Sequence, residues 1–274
     1  MRLPESHDGF IEHAGARIHY TSSGQGKALV FVHAGIADSR MWQPQIEYFA
    51  PRYRVVTFDL RGFGQTAMVA GDFSDAEDLR AVMDALAIEK AVVIGCSMGG
   101  SAVVNFALQN PLRITALVPV ASGLDGFEVE DDEGSVAKWL QVEEAKNQKD
   151  FNRFAECVIR LWIDGPRRQT QEVDPAVRAS VKEMLRTSFD TPEGLGKRIK
   201  LVPPVADRLG EIRVPTLVVA GSEDVPEMAF YAQKLSQDIP GARRHIFEKA
   251  GHLPSLEKPA EFNRLLDEFL KEVL

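Results

Sequence analysis

The sequence is poor in cysteine, carries no excess of positive charge and contains no long apolar run. Cys96 and Cys157 are the only two cysteines in 274 residues. They make no C-x-x-C pair and no metal-ligand spacing, which excludes a disulfide-stapled fold and a cysteine metal site. Two free thiols in a reducing compartment follow as the expectation. Asp and Glu number 40 against 32 Lys and Arg, a net charge of −8. Neutralising phosphates needs clustered basic residues, so no nucleic-acid partner is expected. No stretch approaches the roughly 18 apolar residues of a membrane-crossing helix. The first ten residues lack the apolar segment of a secretory signal, so a cytoplasmic chain with no membrane partner is expected. Neither G-x-x-x-x-G-K-[ST] nor G-x-G-x-x-G is present, which leaves nucleotide binding without support. No internal repeat and no low-complexity tract occurs.

What is present is an ordinary globular composition, 45% apolar and 26% charged, on a chain long enough to bury a core without disulfides or metals. Residues 9–14 and 17–22 read as a hairpin around Gly15. Four continuous apolar runs follow, 28–33, 54–59, 91–95 and 114–121, as expected of strands buried on both faces. Helical spacing separates them, at 41–50, 75–87 and 98–109, with Ser74 or Asp75 as the N-cap of the second.

The rhythm changes after Ser122. Residues 128–134 are acidic and read as a solvated linker. Residues 135–148, 151–163 and 175–189 read as helices with no buried strand between them. Strand and helix patterns then resume at 216–220, 226–237, 243–248 and 259–273. Alternating strands and helices predict an α/β fold with a mostly parallel sheet and helices on both faces. The expected organisation is a core of residues 1–124 and 206–274 carrying an inserted helical cap, 125–205, over the edge where open α/β sheets place their sites.

Reactive residue types gather at the predicted strand ends. Gly95-Cys96-Ser97-Met98-Gly99 matches G-x-S-x-G directly between a buried strand and a helix, and Gly100 follows. A serine there needs a strained turn with φ > 0, and only small neighbours let the two backbones approach. A serine hydroxyl needs a base. Of the six histidines, His252 in Ala-Gly-His-Leu-Pro lies just past the last strand, on the same sheet edge as Ser97. His245 falls inside a strand, and His7, His13 and His19 fall in the N-terminal hairpin region. The base needs an acid. Asp224 ends the strand before it, with Asp125 as a rival and the neighbouring Glu223 expected to point elsewhere. Oxyanion donors are expected from the Met98 N–H and from the loop His33-Ala34-Gly35-Ile36, through Gly35 with Ile36 as the alternative. His33 is expected to pin that loop, and Cys96 to point into packing.

Together, His33-Ala34-Gly35, Asp59-Leu60-Arg61-Gly62-Phe63-Gly64, Gly95 to Gly100, Asp224 and Gly251-His252 resemble the α/β-hydrolase superfamily. Within it, the chain resembles the single-domain, helical-cap branch of small esterases, lactonases and cofactor-free haloperoxidase-like enzymes, and residues 32–44 resemble the corresponding loop of enol-lactonases. The chain order Ser97, Asp224, His252 is the order of that fold. One departure is Ala34, where most relatives carry glycine, followed by Gly35, where they carry a side chain; it bears on which N–H donates. The resemblance implies that Asp59 and Arg61 brace loops near the site. It also implies an acyl-enzyme on Ser97, with His252 as general base and acid, Asp224 as the orienting acid, and no cofactor or metal.

The expected function is hydrolysis of a small carboxylic ester or lactone. A carbon–carbon bond hydrolase, a perhydrolase or haloperoxidase-like enzyme, and a ligand-binding protein with little turnover are the alternatives. The partner is a small-molecule substrate, and the chain is expected as a monomer or homodimer. Trp139, Phe151, Phe154, Trp162 and Phe189 are placed either to pack the cap or to line a pocket. Arg167-Arg168, after Gly165-Pro166, reads as a solvated turn.

Overall fold

Two residues with positive φ, Ala14 at 46° and Gly15 at 78°, close the first hairpin, as a two-residue turn between twisted strands requires. It joins Ser6–His13 (β1) to Ala16–Ser23 (β2) in antiparallel register. The computed structural model describes residues 6–127, 133–192 and 194–274. The four apolar runs form Ala28–Val32 (β3), Arg54–Phe58 (β4), Ala91–Cys96 (β6) and Ile114–Val120 (β7), and the later ones Leu217–Gly221 (β9) and Arg243–Phe247 (β10). A short strand, Gly71–Phe73 (β5), lies outside this sheet. The order of the eight-stranded sheet is β1-β2-β4-β3-β6-β7-β9-β10. It is parallel from β4 to β10, and β2 is antiparallel to β4.

Side chains alternate across this sheet, and that alternation builds two apolar layers. Leu29, Phe31, Val92, Ile94, Val118 and Val219 face one layer. It is covered by Gln43–Phe49 (α1) and Pro259–Val273 (α9), through Ile46, Phe49, Phe262 and Leu266. Val30, Val32, Val93, Val218 and Ala220 face the other. Asp75–Ala85 (α2), Met98–Gln109 (α3) and Pro226–Asp238 (α7) cover that side with Leu79, Val82, Phe106 and Leu235. Each fully buried side chain of this size contributes roughly 1.5–3 kcal/mol. The fold is therefore the α/β arrangement that the strand–helix alternation predicts, with helices on both faces.

Between β7 and β9 the chain is mainly helical: Glu133–Asn147 (α4), Phe151–Ile159 (α5) and Pro175–Asp190 (α6). Val142, Phe154, Val158, Val177 and Met184 join the same apolar layer as Phe31 and Ile94, so this segment shares a core with one sheet face. The expected linker at 128–134 lies mostly outside the described residues, and its last two positions already begin α4. After α6, Gly196–Arg198 (β8) pairs in parallel with β5. The Arg198 guanidinium also reaches Asp75, the first residue of α2, at 2.5 Å. Ser74 takes the N-cap position there with no side-chain bond of its own, so the acid next to it pairs with a remote arginine and does not cap the helix.

Candidate active site

The parallel strands all end at one edge, and the chemistry-bearing residues sit there. β3 runs into His33, β4 into Asp59, β6 into Ser97, β9 into the turn carrying Asp224, and β10 into the loop carrying His252.

Ser97 takes φ 55° and ψ −112°, a region costly for a residue with a Cβ, on the order of 1–3 kcal/mol. Two backbone bonds hold it there: Ser97 N–H donates to Val120 O at 2.8 Å, and Ser97 O accepts from Ser101 N–H at 3.0 Å. The glycines around it are a matter of space. A methyl on Gly95 would lie 2.1 Å from Gly99 O, one on Gly99 2.4 Å from Val32 O, and one on Gly100 2.6 Å from Ser122 Cβ. Backbone thus meets backbone about the turn, and Ser97 stands at the edge of the sheet as a half-buried residue. Met98 opens α3, so its N–H belongs to the helix's first turn and has no acceptor within the helix.

His252 and Asp224 form a buried pair. Nδ1 lies 2.8 Å from Asp224 Oδ2, and each side chain is 1% exposed. Asp224 Oδ1 accepts Val225 N–H at 2.8 Å, which fixes the carboxylate plane. A carboxylate at Nδ1 favours the tautomer protonated there, which in a neutral ring leaves the proton off Nε2. The loop reaches the serine turn directly: Cys96 Sγ donates to His252 O at 3.6 Å, next to Ser97. Burial pushes the Cys96 thiol well up, so it is a packed neutral group. Both cysteines are free.

Trp162 is the contact that sequence reasoning left open. Its carbonyl accepts His252 N–H at 3.1 Å, and its indole lies against the imidazole with ring centroids 4.3 Å apart. It sits in a single π-helical turn, Arg160–Asp164, that continues α5. Such one-residue expansions often mark functional sites. Trp139 meets it edge-on at 6.0 Å. The phenylalanines divide differently, since Phe151 and Phe154 both pack on Phe189, at 5.4 and 5.1 Å.

The remaining residues make their contacts elsewhere. His33 donates from Nδ1 to Ala34 O at 2.8 Å and accepts Leu60 N–H at Nε2, 2.9 Å, so both ring nitrogens are used. Asp59 accepts Ser39 N–H, Gln65 N–H and the His19 ring, each at 2.9 Å. Burial pushes its carboxyl up, but His19, the nearby His33 and the two N–H groups outweigh that and bring it to about 2. Arg61 forms a two-pronged pair with Asp78, both bonds 2.8 Å. Asp125 pairs with Lys200 at 3.0 Å, and Glu223 with Arg167 at 3.1 Å. His245 is exposed on β10. Among the described residues no group of three His, Cys, Asp or Glu side chains is placed to hold a metal ion.

The expected solvated turn at Arg167-Arg168 is corrected at its second residue. Arg167 is 57% exposed, but the Arg168 side chain is 8% exposed and paired with Glu257 at 2.8 Å. An arginine can be buried when every donor finds an acceptor, and this one also bonds the carbonyls of Ile163, Asp164 and Lys249.

Comparison with known proteins adds a family. A family described as the alpha/beta hydrolase family matches residues 29–265. A 2-hydroxy-6-oxo-6-phenylhexa-2,4-dienoate hydrolase of Comamonas testosteroni is 29% identical over 269 residues, covering 93% of this chain and 91% of its own. A pimeloyl-(acyl-carrier protein) methyl ester esterase of Legionella pneumophila (strain Lens) is 28% identical over 257 residues, covering 93% and 99%. Among solved structures, Est816, described as an N-acyl homoserine lactone degrading enzyme, superposes with a TM-score of 0.75 at 28% identity, over 95% of this chain and 99% of that one.

Proposed function

We infer that this chain, which belongs to the alpha/beta hydrolase family, is a serine hydrolase that cleaves a small carboxylic ester or lactone. One observation carries the reading. A serine held at φ 55° on a strand–helix turn adjoins a loop whose histidine is paired, 2.8 Å away, with a buried aspartate.

In the proposed reaction Ser97 Oγ attacks the substrate carbonyl carbon while His252 Nε2 takes its proton. Asp224 holds the imidazole and stabilises the imidazolium that forms. The tetrahedral oxyanion sits against the N–H groups of Met98 and Gly35, donors typically worth roughly 3–4 kcal/mol each. Two other N–H groups of that loop are engaged elsewhere, Ala34 with Met41 Sδ at 3.4 Å and Ala37 with Ala34 O at 3.1 Å. Gly35 is partly accessible whereas Ile36 is buried, which favours Gly35 over Ile36. Collapse of the intermediate expels the alcohol, which takes the proton from His252. Water then attacks the acyl-enzyme by the same route in reverse.

The segment 125–205 is read as the cap that shapes the substrate pocket. The whole machinery lies within one chain, so either a monomer or a homodimer serves. Two free thiols support a reducing compartment such as the cytoplasm. Among the described residues no helix is long and apolar enough to cross a membrane.

A second reading keeps the same three side chains but acts on a 2-hydroxy-6-oxo dienoate, the substrate class in the name of the Comamonas testosteroni relative. The test is a short p-nitrophenyl ester, a homoserine lactone and such a dienoate, each offered to the wild type and to Ser97→Ala. Turnover of the ester or lactone, lost by about 10⁴-fold or more in Ser97→Ala, is expected. Undiminished turnover or undiminished fluorophosphonate labelling in Ser97→Ala overturns the nucleophile, and turnover of the dienoate alone overturns the substrate class.

A further inference from the structure

We propose that the buried ion pair between Arg168 and Glu257 is a positioning device for His252, joining the helical segment to the loop that carries the base. The inference rests on the serine-hydrolase reading of the site.

Glu257 ends a short helix, Pro254–Glu257 (α8), that begins two residues after His252. Its two oxygens have separate tasks. Oε1 accepts Gly251 N–H at 2.8 Å, and Oε2 accepts Arg168 Nη1 at 2.8 Å. The Arg168 guanidinium reaches in two directions. Nε donates to Asp164 O at 3.0 Å and Nη2 to Ile163 O, both in the turn that carries Trp162. Nη1 donates to Lys249 O at 3.0 Å, in the loop that carries His252. One planar group therefore fixes the spacing between residues 163–164 and residues 249–251. His252 N–H meets Trp162 O, and the two rings meet, across that same spacing.

The fit leaves no slack. The Arg168 and Glu257 side chains are 8% and 6% exposed. A methyl on Gly251 would lie 2.5 Å from Arg168 Nη2 and 2.7 Å from Ile163 O. This explains the glycine before His252 without any demand on its φ. Burial pushes the Glu257 carboxyl up, against the pull of Arg168 and the Gly251 N–H, and the charge of Asp224 pushes it the same way as burial. Glu257 thus stands within electrostatic reach of the His252–Asp224 pair. Without Arg168 it would be a buried carboxylate with no counter-charge, beside three carbonyls stripped of their donor. His252 is bonded by Asp224 at its ring edge and by Trp162 at its N–H, while Arg168 and Glu257 fix the backbone of Lys249 and Gly251 just before it.

The test uses the full chain and p-nitrophenyl ester turnover, with active sites counted by fluorophosphonate labelling of Ser97. Arg168→Met and Glu257→Gln are compared with wild type. Glu257→Gln keeps the side-chain shape and an oxygen for Gly251 N–H, so it remains informative if Arg168→Met fails to fold. In both, kcat per labelled site is expected to fall about 10–100-fold, as for a misplaced base, while KM stays within about threefold. Arg168→Lys should recover only part, since an ammonium restores the charge but not the fork to the carbonyls. A merely structural role would lower the melting temperature or the labelled fraction and leave kcat per labelled site within about twofold, and that result overturns the proposal. A wild type that does not label overturns the hydrolase reading and this inference with it; a labelled wild type with unaffected variants overturns the ion-pair inference alone.

Discussion

The indole of Trp162 lies against the imidazole of His252 at a centroid separation of 4.3 Å and a tilt of 41°. The histidine therefore has a carboxylate at its edge and an aromatic face across its plane. The contact restricts rotation of the ring about its Nδ1 bond to Asp224 and excludes water from that side.

Trp162→Ala isolates the ring, because the backbone bond from His252 N–H to Trp162 O survives the substitution. The expected result is a kcat about tenfold lower on a short ester, with Trp162→Phe retaining most of the rate. Steady-state kinetics on the two variants check this. An alanine variant with unchanged kcat would mean that Asp224 alone orients the imidazole.

Asp224 and Asp125 both follow strands at the reactive edge, and the contacts separate them. Asp224 is buried against His252, whereas Asp125 is 30% exposed beside Lys200. Asp224→Asn leaves an amide at Nδ1 that favours the wrong tautomer and should lower kcat by about 10⁴-fold. Asp125→Asn should alter a partly solvated ion pair, and so cost at most about 1 kcal/mol of stability with kcat near wild type. A larger loss of kcat from the second variant would transfer the acid role to Asp125.

The parts of the fold legible in the sequence are those whose signal is local. The runs that became β3, β4, β6, β7 and β9 announce themselves because both faces are buried, and the glycines about Ser97 because no side chain fits between the backbones. Ser97, Asp224 and His252 are readable as candidates because each follows such a run. The Arg168–Glu257 pair is not, since its members stand 89 positions apart. Locally, an arginine after Gly-Pro-Arg looks like any solvated turn. The pairing of β5 with β8 involves strands of 3 residues each, mostly exposed, too short for any periodicity to show. The π turn at 160–164 and its placement of Trp162 depend on packing against the His252 loop, which no window of residues around Trp162 contains.

His19 offers a pH-dependent test of the bracing at the other end of the reactive edge. Its Nδ1 meets Asp59 at 2.9 Å, and its Nε2 meets Asp8 at 3.2 Å and Gln65 at 3.1 Å, with Phe10 against the ring. The bond to Asp59 raises the His19 pKa above 6.5, against burial, and Asp8 adds to the rise. A raised folded pKa means that the native state holds the proton more tightly. Its contribution to stability is complete below the unfolded value and is lost as pH rises through the folded one. For Asp59, held at about 2 against an ordinary 3.8, the window is the reverse. Its contribution, on the order of 2 kcal/mol, is present above 3.8 and is lost as pH falls through about 2. His19→Gln should therefore cost more stability at pH 6 than at pH 9. Asp59→Asn should remain costly at pH 9, because Ser39 and Gln65 N–H groups still need their acceptor. Urea unfolding of wild type and both variants at the two pH values decides the matter. An equal cost for His19→Gln at both would show that the bridge is made by a neutral imidazole.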